Sequence, residues 1–154
     1  MTIYPLRFPD EPMNDLPISV GDQATFSKTV SESDVYLFAG ITGDLSPNHV
    51  DVEFMRRTAY GRRIAHGALL VGYMSYCSTA ILRDKHSPGE TPVSLGYDRI
   101  RFIAPVFIGD TITVTYRIES VDQAKRETRA DVSLRNQAGE MCAIATHILR
   151  WVPD

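Results

Sequence analysis

The segment Gly43-Asp-Leu-Ser-Pro-Asn-His49 places a carboxylate and an imidazole on either side of a proline turn. Such a turn folds the chain back on itself, so Asp44 and His49 can converge on one small reactant such as water. Their ordinary pKa values, about 3.9 and 6.5, let one group be a charged acceptor and the other a proton carrier near neutrality. That division of labour suits addition of water to a double bond. Spacing alone fits equally well a plain arrangement in which Asp44 caps the following helix and His49 is an ordinary partly buried side chain.

A second segment, Ile64-Ala-His-Gly67, precedes the most apolar stretch of the chain. Free N–H groups at a helix start can stabilise negative charge developing on an oxygen, and the Gly67 amide is the candidate donor. Glycine lets a ligand approach the backbone closely, although tight packing of a helix start would ask for the same residue. His66 is expected to be structural. Arg56, Arg57, Arg62 and Arg63 lie between the two segments and could meet the phosphates of a nucleotide-like ligand or form a solvated face.

The elements that must position these groups follow from periodicity. Ser31 can cap a helix in which Val35, Phe38, Ala39 and Thr42 recur at helical spacing before Gly43 stops it. Pro47 disfavours helical geometry at Ser46, so Asp44 to Asn48 reads as a turn, with a short helix over Asp51 to Ala59. A longer helix is predicted from His66 or Gly67 to about Lys85, with Leu69, Leu70, Tyr73, Met74, Cys77 and Ile81 as its apolar surface. Afterwards Ile112, Val114, Tyr116 and Ile118 alternate with polar residues, the period of a half-buried strand. Further strands are predicted around Ala24 to Val30, Val93 to Ile103, Asp131 to Arg135 and Met141 to Trp151. Strands following one another after short turns pair antiparallel, which makes the fold class α+β, a sheet packed on a helix.

Composition bounds what the site can serve. The 154 residues, 44% hydrophobic and 23% charged, suit one globular domain, read as an N-terminal arm over 1–18 and a single domain over 19–154. Lys plus Arg number 16 against 19 for Asp plus Glu, so no basic excess invites nucleic acid. Met1 to Asp10 contain Pro5 and Pro9 and no basic stretch leading an apolar run, so no secretory signal is expected and the expected location is cytoplasmic. Ala65 to Leu82 is interrupted by His66, Ser75, Ser78 and Thr79 and is no membrane span. Cys77 and Cys142 lack a metal-ligand or disulfide spacing and are expected to be packed core thiols.

These residues resemble the MaoC-like dehydratases, which include the (R)-specific enoyl-CoA hydratases of the hot-dog fold. The resemblance is carried by Phe38-Ala-Gly-Ile-Thr-Gly-Asp-Leu-Ser-Pro-Asn-His49, by Asp51, Phe54, Thr58 and Tyr60, and by Ile64-Ala-His-Gly67 with the helix to Ser75. Phe102-Ile-Ala-Pro-Val-Phe-Ile-Gly-Asp110 extends it, so that most of the chain from Val20 is covered. It implies an antiparallel β-sheet wrapped around a long central α-helix, and pairing of subunits as a homodimer or higher homo-oligomer. It implies an active site whose substrate is a coenzyme A thioester, with no separate cofactor and no metal. By motif position, Asp44 and His49 hold and activate water, the Gly67 amide polarises the thioester carbonyl, and Ser75 supports the site by hydrogen bonding. Ser75 fits equally well a polar position on a buried helix, bonded to a carbonyl one turn back.

The expected reaction is reversible addition of water to a 2-enoyl-CoA, or dehydration of a 3-hydroxyacyl-CoA. Arg62 and Arg63 are the candidate substrate-binding guanidiniums, and Tyr60, Tyr73, Tyr76 and Phe102 the candidate pocket wall. Two alternatives remain open, a hot-dog acyl-CoA thioesterase and a non-catalytic acyl-thioester binding subunit. Release of free thiol would mark the first, and binding without turnover the second.

Overall fold

Local signals in the chain set each element of the computed structural model, which describes residues 14–154. The arm expected over 1–18 lies outside the described residues as far as Met13; Leu16 and Ile18 beyond it are buried in the core. Strand β1 (Gln23–Thr29) leads to helix α1 (Glu32–Thr42). Ser31 Oγ accepts from Asp34 N–H at 3.2 Å and the Asp34 carboxylate accepts from Ser31 N–H at 2.8 Å, a reciprocal cap that stabilises the helix start by about 1 kcal/mol. Gly43, in the left-handed region at φ 77°, stops the helix and returns its N–H to Ala39 O at 2.8 Å. The turn after it is short, because Pro47 is tolerated at the first helical position and opens α2 (Pro47–Val50). Helix α3 (Val52–Arg56) follows, capped by Asp51, whose carboxylate accepts from Phe54 N–H at 2.9 Å.

Helix α4 (Gly67–Ala80) is the central one. It ends earlier than its apolar pattern predicts. Beyond Ile81 the bonds run three residues back, Leu82 to Thr79, Arg83 to Ala80 and Lys85 to Leu82, so the last turns are tightened rather than α-helical. Strands β2 (Glu90–Phe102), β3 (Thr111–Asp122), β4 (Glu127–Arg135) and β5 (Met141–Pro153) complete a five-stranded antiparallel sheet of order β1-β3-β4-β5-β2. The alternation in β3 holds: Ile112, Val114, Tyr116 and Ile118 are all fully buried. They meet Leu70, Met74 and Cys77 on one face of α4 and Ile81 at its C-cap, and this contact is the core of the hot-dog arrangement, α+β as the sequence predicts. Both cysteines are buried and free. No helix among the described residues is long and apolar enough to cross a membrane.

A buried ion pair pins the far end of the sheet. Arg126, held at φ 55° in the β3–β4 turn, grips the Glu90 carboxylate with Nε and Nη2, and Ser87 Oγ donates to the same carboxylate. Arg126 Nη1 also donates to Asn14 O at 2.9 Å, so the pair ties β2, the hairpin and the start of the described chain together. Burial pushes the Glu90 carboxyl up, but the bonds from Arg126 and Ser87 outweigh it and hold the group below its ordinary range.

Candidate active site

Three chain segments converge between the end of α1 and the start of α4. His49, on α2, is buried and its Nδ1 lies 2.8 Å from Ile64 O. A carbonyl can only accept, so Nδ1 carries the proton and Nε2 presents a lone pair, toward which Asn48 Nδ2 donates at 3.2 Å. Burial disfavours the imidazolium and is the main reason the His49 pKa lies below its ordinary value; the bond to Ile64 and the Asp44 charge oppose that shift, and His66 adds to it. His49 therefore rests neutral near pH 7, with an acceptor facing out.

Asp44 lies on the exposed loop between α1 and α2, and its Oδ1 accepts from Ser46 N–H at 3.3 Å. It does not cap the next helix: Ser46 occupies the cap position of α2, and Asp51 caps α3. One Asp44 carboxylate oxygen and one ring nitrogen each of His49 and His66 lie within 4.8 Å of one another. A water making two hydrogen bonds of ~2.8 Å at a tetrahedral angle spans ~4.6 Å, so the carboxylate and the imidazoles lie within reach of one shared water. The imidazoles of His49 and His66 stack with centroids 3.7 Å apart and planes at 27°. In-plane lone pairs of stacked rings run side by side rather than converge, so the trio is shaped for proton handling better than for chelating one ion.

His66 also forms the cap position of α4. Leu69 and Leu70 N–H turn back to His66 O at 3.1 and 3.3 Å, which leaves the Gly67 and Ala68 amides, among the described residues, without a backbone acceptor. Gly67 and His49 line a common cleft of about 360 Å³, walled by Tyr60, Ile64, Leu70 and the segment Phe102 to Val106. The Phe102 ring crosses Gly67 so closely that a Cβ there would sit 2.6 Å from its Cε2. The sequence offered two reasons for this glycine, and close packing of the helix start is one the structure demonstrates.

Other candidate residues are spread more widely. Ser75 lies on α4 two turns beyond Gly67, exposed, beside Tyr97 and outside the lining of the cleft. The bond to a carbonyl in the preceding turn is made by Ser78, whose Oγ donates to Ser75 O at 2.7 Å. Tyr60 and Phe102 wall the cleft as expected, but Tyr73 and Tyr76 do not. Three residues apart, they share the helix face turned to β1 and pack on Phe26 with centroids at 6.2 and 4.6 Å. Arg63 is committed to Glu32 and to Tyr36 Oη, which ties the loop before α4 to α1. Arg62 stacks over Phe107 at 3.9 Å with, among the described residues, no carboxylate partner. Arg56 pairs with Glu53. Asn48 and Ile64 O, which set the His49 tautomer, were not singled out from the sequence, although Asn48 stands next to His49 and Ile64 opens the second segment.

A second serine and histidine meet elsewhere, in an arrangement that could suggest hydrolysis. Ser94 Oγ lies 2.7 Å from His147 Nε2, and Tyr116 Oη lies 2.8 Å from His147 Nδ1. The buried Tyr116 hydroxyl has no other partner among the described residues, so its proton goes to Nδ1 and Nε2–H then faces Ser94. In that tautomer His147 cannot take the Ser94 proton, and burial, which lowers its pKa to about 4, keeps it neutral.

Comparison with known proteins gives the family and the fold. Residues 18–140 match the MaoC like domain family. Over 109 residues the chain is 38% identical to an (R)-specific enoyl-CoA hydratase of Rhodospirillum rubrum, covering 71% of this chain and 72% of that protein. It is 36% identical over 113 residues to a 3-hydroxybutyryl-CoA dehydratase of Methylorubrum extorquens, covering 73% and 68%. Among solved structures, the (R)-hydratase of A. caviae involved in PHA biosynthesis superposes with a TM-score of 0.74 at 28% identity, covering 86% of this chain and 96% of the other.

Proposed function

The chain belongs to the MaoC-like domain family, and from that premise we propose that it is a hydro-lyase that adds water reversibly to a 2-enoyl-CoA. The observation that carries this reading is the closeness of the Asp44 carboxylate to the His49 imidazole, within 4.8 Å, beside a cleft that His49 shares with the Gly67 amide, which has no acceptor among the described residues. The attacking water donates one O–H to Asp44 and the other to His49 Nε2, where it replaces the Asn48 Nδ2–H donor. Its oxygen bonds to Cβ while the double-bond electrons move onto the thioester oxygen, where the Gly67 N–H stabilises the enolate. One of the pair takes the proton that leaves the water. His49 holds no proton at Nε2 in its resting tautomer, so the proton that reaches Cα is one the pair has first taken from the water. No atom is lost and no further cofactor is needed.

Arg62, stacked and unpaired, is the better placed of the two candidate guanidiniums for the phosphates of coenzyme A, since Arg63 is committed to Glu32. Leu37, Ile41 and Leu45 on and after α1, with Phe102 and Ile103 at the cleft, are exposed apolar residues, Ile41 to 82%, and β2 is a sheet edge without a further strand among the described residues. Both features favour a homodimer. Sedimentation at micromolar concentration should give twice the chain mass, and a monomer there would remove the dimer from the reading. Buried free thiols suit a reducing compartment such as the cytoplasm.

The test is turnover of crotonyl-CoA, followed by loss of enone absorbance and gain of one water by mass spectrometry. Free thiol without a hydrated product would replace hydration by thioester hydrolysis, and binding without either would leave a non-catalytic acyl-thioester module. Gly67→Ala is expected to reduce kcat/KM about tenfold or more, because the added methyl displaces the Phe102 ring into the approach to the amide. Phe102 is half exposed and can swing away, so the stability loss should stay near 1 kcal/mol or below. Unchanged kinetics in that variant would remove Gly67 from the site.

A further inference from the structure

We propose that His66 is the positioning residue of this site, holding the Asp44 loop and the His49 ring in register from the N-cap of α4. The proposal rests on the hydration reading for its kinetic test only. Three contacts carry it. His66 Nε2 lies 3.0 Å from Asp44 O, and since a carbonyl only accepts, Nε2–H is the donor. Its ring covers one face of His49 at 3.7 Å, and Phe38 of α1 closes on it at 4.8 Å. It is 1% exposed and immediately precedes Gly67.

Asp44 sits on a loop whose other backbone bonds are local, Leu45 N–H to Gly43 O at 3.0 Å and His49 N–H to Ser46 O at 2.9 Å. The bond from His66 is what ties the Asp44 backbone to the helix that carries the amide donor. The bonds of α2 to Ile64 hold His49 from one side, and His66 joins the Asp44 backbone and the His49 ring to the helix start from the other; displacement of such groups by about 1 Å can cost 10²-fold in rate. The titratable groups that face His66 from the packed elements are His49 of α2 and Asp44 of the loop before it. The remaining ring nitrogen, Nδ1, is buried with no partner among the described residues, a cost set against what the other nitrogen and the ring do.

The experiment compares His66→Gln, whose side-chain amide can still donate to Asp44 O, with His66→Phe, which keeps a ring against His49 and donates nothing. With crotonyl-CoA, His66→Phe should lower kcat about 10- to 100-fold with KM changed less than about threefold. His66→Gln should recover kcat to within about fivefold of the parent, and removal of the neighbouring imidazole should move the acid limb of its kcat/KM profile upward. Imidazole ¹⁵N NMR of His49 reads the same contact without turnover: its titration should shift upward in His66→Gln. If His66→Phe does not fold, His66→Gln carries both readouts. Equal kcat in both variants and the parent, equal loss in both, or an unmoved His49 titration would overturn the proposal. A parent that fails to hydrate crotonyl-CoA would instead overturn the hydration reading, and the NMR titration would still decide the role of His66.

Discussion

Asp44→Asn and His49→Ala each lower kcat for hydration of crotonyl-CoA by about two to three orders of magnitude, the size typical of a lost general acid or base. Asp44 is exposed and its single carboxylate bond, to Ser46 N–H, is one an amide oxygen also makes, so Asp44→Asn leaves the melting temperature nearly unchanged. His49→Ala vacates a buried position and leaves the Ile64 carbonyl without its donor, which costs about 1–3 kcal/mol and requires a folding check beside the kinetics. A rate in either variant within about fivefold of the parent sinks the pair as the water site. The parent's pH profile adds a sign. Protonation of Nε2 removes the acceptor, and burial holds that event below the ordinary imidazole value. The acid limb of kcat/KM should therefore fall below about pH 6.5, and a limb above it would contradict the neutral tautomer.

Arg126→Met is expected to cost about 3–5 kcal/mol of folding stability, because it leaves the Glu90 carboxylate buried with only Ser87 for company. For a chain of this size that is a fall in melting temperature of about 6–20 °C. The double change Glu90→Met with Arg126→Met removes the stranded charge along with its partner and should recover much of the loss. Equal destabilisation in the single and double variants would mean that packing around Arg126, not the unpaired charge, carries the effect. The parent pair has its own pH dependence. The folded-state pKa of Glu90 lies below its unfolded value, so its contribution is present above about pH 4.3 and is lost as pH falls through the folded value. Thermal scans of both proteins between pH 3 and 7 separate the two explanations.

The elements were legible because each carries a local signature: the Ser31 cap, the Gly43 stop, the two-residue alternation of β3. The closeness of Asp44 and His49 was legible for the same reason, since they stand five residues apart across the loop and the start of α2. The cleft was not. Its far wall, Phe102 to Val106, reaches Gly67 through the sheet edge, and nothing in the α4 sequence says which helix face meets it. Tyr73 and Tyr76 fall outside its lining on that account: both pack on Phe26, Tyr73 half-buried and Tyr76 still exposed. The separation of Arg62 from Arg63 was equally hidden, because Glu32, which claims one of them, belongs to α1. His66 read as structural, and its bond to the Asp44 carbonyl depends on a fold that brings two distant turns together.

The two buried cysteines bear on how the rival reactions are told apart. Cys77 and Cys142 are closed off from solvent, and burial raises both thiol pKa values, that of Cys77 to about 11. A thiol-reactive dye acts on the thiolate, so the folded enzyme contributes almost no colour of its own near neutral pH. Any steady signal from such a dye in an acyl-CoA assay is coenzyme A leaving its acyl group, and a sudden extra two equivalents per chain would report the protein unfolding.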